Sequence, residues 1–70
     1  MEIDNRGLQP PEPMVRILSA LAQLPAGEDL VALMDREPLM IYPELERRGF
    51  TWVFEPGEGW HRLTIRRDSA

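Results

Sequence analysis

The 70-residue sequence predicts an α/β two-layer sandwich, β-α-β-α-β-β, with two helices on one face of a four-stranded mixed sheet. Three features lead there: a segment with apolar residues at helical spacing, a continuous five-residue apolar run of strand length, and a C-terminal third that alternates on both sides of a Pro/Gly turn. Two helices can bury their stripes together only against one face of such a sheet, which leaves the other face comparatively open.

The first strand is expected over about Glu2 to Arg6, stopping at Gly7. Leu8-Gln9-Pro10-Pro11 must then run extended, because a residue before proline is pushed out of the helical region. A helix starts near Glu12 or Pro13. Its stripe is Met14, Ile17, Leu18, Leu21 and Ala22, with Arg16, Ser19 and Gln23 opposite. Pro13 suits the first turn, Glu12 faces the positive end of the helix dipole, and Pro25 with Gly27 ends the helix. Leu30 to Met34 reads as an interior strand, parallel to the first because a helix connects them. Asp35 to Pro38 turns the chain. A second helix over Leu39 to Arg48 closes at Gly49, and Pro43 within it predicts a kink or a start as late as Tyr42. Phe50 to Phe54, the Pro56 to Gly59 turn and His61 to Ile65 make a hairpin. By parity Phe50, Trp52 and Phe54, with His61, Leu63 and Ile65, belong to the helix-covered side; Thr51, Val53, Arg62, Thr64 and Arg66 belong to the open face.

This length leaves room for one core, so residues 1–70 are expected to be one domain, with about 68–70 a flexible tail. A net charge of −4 opposes general attraction to nucleic acid or anionic lipid, and no stretch approaches the roughly 20 apolar residues of a membrane span. No signal-peptide pattern opens the chain, so a cytoplasmic location is expected. The absence of cysteine removes disulfides, thiolate metal sites and thiol nucleophiles, and the lone His61 makes a poor zinc site. No metal and no cofactor are expected.

Ile3-Asp4-Asn5-Arg6-Gly7-Leu8, Pro11-Glu12-Pro13 and Leu24-Pro25-Ala26-Gly27-Glu28 resemble the TusA/SirA-like sulfur-carrier domains, and Leu39 to Phe50 is similar to a cysteine-lacking branch of uncharacterised domains related to them. The resemblance implies the same order of elements. It also implies a site at the first helix start, where that family carries a persulfide on the cysteine of Cys-Pro-x-Pro. Pro10 holds that position here, so the motif Pro10, Pro11, Glu12, Pro13 has no reactive atom. It makes a poor anion site as well, since its prolines supply no N–H and Glu12 adds a negative charge.

Among individual residues, Arg62 and Arg66 share a strand face and are the candidates for contacting an acidic partner; Trp60, beside Arg62, could anchor that partner, though packing over the hairpin end is the favoured reading. Arg47-Arg48 and Arg66-Arg67 read as solvated charge pairs, the first neutralised by Glu44 and Glu46. Met14, Met34 and Met40 read as core filler. His61 reads as a hydrogen-bonded boundary residue, and Asp4, Glu12 and Asp35 as carboxylates that could meet at the strand ends. The leading expectation is a non-catalytic module that binds a protein partner, linked by the resemblance to sulfur or redox metabolism. The alternative is a small-molecule or cofactor binder with a pocket between the Pro10 to Pro13 corner and the second helix around Tyr42. An enzyme ranks last, for want of a Ser-His-Asp set, a phosphate loop or a metal motif.

Overall fold

The computed structural model describes residues 1–67, so the expected tail at 68–70 lies outside the described residues. Its elements are β1 (Glu2–Asp4), α1 (Glu12–Leu21), β2 (Leu30–Met34), a single 3₁₀ turn (Leu39–Ile41), α2 (Tyr42–Arg47), β3 (Phe50–Pro56) and β4 (His61–Arg67). They form one four-stranded mixed sheet in the order β1-β2-β4-β3. β1 runs parallel to β2, and the other two pairings are antiparallel.

Strand parity explains the core. Leu30, Ala32 and Met34 lie across from Ile65, Leu63 and His61, and Leu63 and Ile65 lie across from Phe54 and Trp52. All these side chains therefore share one face. Ile17 and Leu21 of α1, Ile41 and Leu45 pack with that face in a single cluster, so both helices cover the same side, as expected. Trp52 and Phe54 sit at the edge of this cluster, and Tyr42 stacks on Trp52 with ring centroids 4.8 Å apart.

Several boundaries differ from the sequence reading. β1 ends at Asp4 because the Asp4 carboxylate turns back to accept the Arg6 N–H, and Gly7 follows at φ +81, a backbone region that strongly favours glycine. α1 ends at Leu21, before Pro25. Its last turn tightens through bonds from the Gln23 N–H to the Ala20 carbonyl and from Leu24 to Leu21, and Leu24 precedes a proline that disfavours helical geometry there. The tightening buries Leu24 and leaves Ala22 exposed, with Ala20 taking Ala22's expected place against the core.

Pro43 decides the second helix. It occupies the first turn of α2, where its missing N–H costs nothing, so the α-helix starts at Tyr42 and the preceding residues form the 3₁₀ turn. With about three residues per turn, one side chain in three points inward. Ile41 is fully buried, while Leu39 and Met40 are 63% and 81% exposed. The reading of Met40 as core filler is thereby corrected; Met34 is buried and Met14 packs at the core's edge. Gly49, at φ +84, closes α2 as expected.

Candidate functional site

The corner between β1 and α1 is built from prolines and one buried amide. The Pro10–Pro11 peptide bond is cis. At the helix start the Glu12 N–H is taken by the Gln9 carbonyl and the Met14 N–H by the Pro11 carbonyl, while Pro13 has none. No donor is spare among the first three helical residues, so the motif Pro10, Pro11, Glu12, Pro13 is a stiff corner without an anion cradle. Behind it lies Asn5, only 2% exposed. Its Nδ2 donates to the Pro13 carbonyl at 3.1 Å and approaches the Met34 sulfur at 3.6 Å, tying the end of β1 to the helix start.

Facing the corner is the turn that leads into α2. Between Pro10, Pro13 and Met14 on one side and Arg36, Glu37, Pro38, Leu39 and Met40 on the other runs a cleft of about 230 Å³, walled almost wholly by apolar atoms. A recess of about 50 Å³ shares its Pro10, Pro13 and Arg36 walls and is lined also by Asn5, Met34 and Asp35. The flanking carboxylates are held from within: Asp35 accepts the Gly7 N–H at 2.6 Å, and Glu37 accepts the Tyr42 hydroxyl at 2.8 Å. Arg36 makes no ion pair among the described residues.

A pocket beside the Pro10 to Pro13 corner is therefore present, but Tyr42 does not line it. Tyr42 borders a shallow hollow with Pro43, Glu46, Arg47 and Trp52, and contributes to the cleft only by fixing Glu37. Burial, and then the hydrogen bond to Glu37, push its phenol above the usual tyrosine range.

The open face holds the other candidates. Two guanidinium groups approach the Trp60 ring, Arg6 at 5.9 Å and Arg62 at 6.0 Å from its centroid. Arg6 is clamped on both Asp4 oxygens at 2.9 and 2.8 Å, and this contact holds the Asp4 carboxyl at about 2, against an ordinary 3.8. Arg66 is engaged by Asp29 at 2.9 Å, so of the two arginines expected to reach a partner only Arg62 lacks an ion pair among the described residues. Arg47 and Arg48 both pair with Glu44 and neither with Glu46.

The His61 Nδ1 accepts the Gly57 N–H at 3.1 Å, and its ring tilts against Phe54. Asp4 and Asp35 are thus held by separate donors, and no group of three His, Asp or Glu side chains among the described residues could hold a metal ion. No helix among them is long and apolar enough to cross a membrane.

Sequence reasoning passed over Asn5, Arg36, Pro38 and Leu39 and misplaced Met40. The usable signal was Pro43: once it starts α2, Leu39 and Met40 belong to a turn and lose their helical stripe.

A family model matches residues 2–67, that of an uncharacterised conserved protein family, DUF2249. The chain belongs to this family. Neither a curated protein nor a solved structure matches the chain. The match corrects the resemblance drawn from the opening motif, since the family model that matches is that of DUF2249. The structure shows why those residues misled. Asp4 to Gly7 makes the turn that ends β1, and Leu24 to Glu28 makes the turn after α1, with Gly27 at φ +84. Such residues answer local backbone demands that recur across α/β chains. In this DUF2249 chain the position read as the carrier cysteine is simply part of the cleft wall, through Pro10.

Proposed function

We propose that the chain is a non-catalytic protein-binding module whose working surface is the apolar cleft between the Pro10 to Pro13 corner and the Pro38 to Met40 turn. The observation that carries the reading is the cleft itself, with Leu39 and Met40 exposed side by side at its lip in a chain of only 70 residues. Uncovered apolar surface is unfavourable in water, and docking removes that cost. At about 230 Å³ the cleft falls below the roughly 300–1,000 Å³ of typical small-molecule sites, which favours one or two inserted side chains over a cofactor. The non-catalytic part is supported by the engagement of His61, Asp4 and Asp35 in separate structural contacts, so these three do not converge on one point as acid and base.

The open sheet face gives a second reading, favoured by Trp60 with Arg6 and Arg62 near its ring and by Val53, 61% exposed, on the same side of the sheet. An acidic partner would suit it. Capture with the full chain as bait separates the two. Met40→Asp should abolish retention of the partner, whereas Arg62→Glu with Arg66→Glu should leave it intact. The reverse pattern, or no partner that distinguishes the variants, overturns the cleft reading.

A further inference from the structure

Asn5 is buried, yet its Oδ1 has no hydrogen-bond partner among the described residues, while its Nδ2 is used by Pro13. A buried acceptor left unpaired is costly, and a donor reaching it removes that cost. Asn5 lines the recess whose Pro10, Pro13 and Arg36 walls also belong to the apolar cleft. One aspartate and one arginine line this recess, so its formal charge balances and a neutral donor suits it better than an ammonium or an anion.

Resting on the binding reading above, we infer that the partner residue filling the cleft is an aromatic with a donor at its edge, a tryptophan or tyrosine. Its ring lies against Pro13, Met14 and Leu39, and its N–H or O–H enters the recess to reach the Asn5 Oδ1. Aromatic anchors of this kind combine a large apolar body with one polar atom that needs a partner when buried. A purely hydrocarbon side chain would fill the cleft but leave Asn5 unanswered.

The test uses the wild-type, isotope-labelled chain, so no variant has to fold. Indole is titrated against 1-benzofuran, which has the same shape but an oxygen in place of the N–H, and amide shifts are followed by NMR. Indole should bind about tenfold more tightly, the effect of one hydrogen bond to a buried acceptor, and should move the Asn5 side-chain amide and the Gly7, Asp35 and Arg36 backbone amides. Equal affinities, or indole shifts confined to Met14, Leu39 and Met40, overturn the inference while the cleft reading stands; a water held in the recess as the donor to Asn5 gives this result. If neither probe moves amides around the cleft, the inference and the cleft reading both fail.

Discussion

On the open sheet face the cationic side chains are already engaged: Arg66 by Asp29, Arg6 by Asp4, and Arg62 against Trp60. Beside the Pro10 to Pro13 corner the situation is reversed. The Asp35 and Glu37 carboxylates flanking the cleft are held by Gly7 and Tyr42, while the apolar walls, and the Asn5 Oδ1 in the adjoining recess, have no partner among the described residues. A partner on the open face has to compete with existing ion pairs, each contributing little, for contacts that salt screens. A partner in the cleft displaces only water from apolar surface. The same small fold thus carries one surface finished by internal contacts and one left unfinished.

The largest effect expected is on the layer that supports both surfaces. Leu45→Ala removes a fully buried side chain between α2 and the sheet and should lose about 2–5 kcal/mol in urea unfolding, enough to disturb cleft and open face alike. A small loss would mean that α2 packs loosely and that the cleft lip is mobile. Next, Asn5→Ala should cost about 1–3 kcal/mol by leaving the Pro13 carbonyl without its donor, and amide shifts should concentrate at the corner, sparing β3 and β4. Gly57→Ala does the converse. Its added Cβ would stand 2.7 Å from the Trp60 carbonyl oxygen, so a loss of about 1–3 kcal/mol is expected, with disturbance at the hairpin turn and Trp60 but not at the cleft.

A pH series sharpens the contrast further. The Asp4 carboxyl, lowered by its hydrogen bonds to the Arg6 side chain and N–H, titrates at about 2 in the fold and at 3.8 ordinarily. A lowered carboxyl pKa means stabilisation that is complete above the ordinary value and lost as pH falls through the folded one. Thermal melts should therefore weaken from about pH 4 towards pH 2, and Asp4→Asn should flatten that slope. The smallest effect on folding belongs to Met40→Asp, which alters an exposed side chain and should change stability by no more than about 0.5 kcal/mol in the same urea assay.

What the sequence made legible follows from local rules. Alternation assigned the inner faces of β3 and β4 correctly, because one parity error would have placed Leu63 and Ile65 in water. The helix start, expected near Glu12 or Pro13 from proline geometry, falls at Glu12. The candidate site was less readable, because its parts meet through space. Asn5 reads as a residue of the first strand until its amide is found against Pro13, eight residues on, and Met34, twenty-nine on. Arg66 reads as free until Asp29, thirty-seven positions earlier, is found across from it. Met40 was lost to a subtler effect, since a 3₁₀ turn and an α-helix differ by less than one residue per turn yet expose opposite side chains.

The claim that the cleft is the binding surface is tested most directly by calorimetric titration of a purified partner, once captured, against the wild-type chain and the stable Met40→Asp variant. The account predicts at least about a tenfold loss of affinity, the scale of losing one buried apolar anchor, with little dependence on salt. Unchanged affinity for Met40→Asp, together with binding that collapses at high salt or on Arg62→Glu, would contradict it.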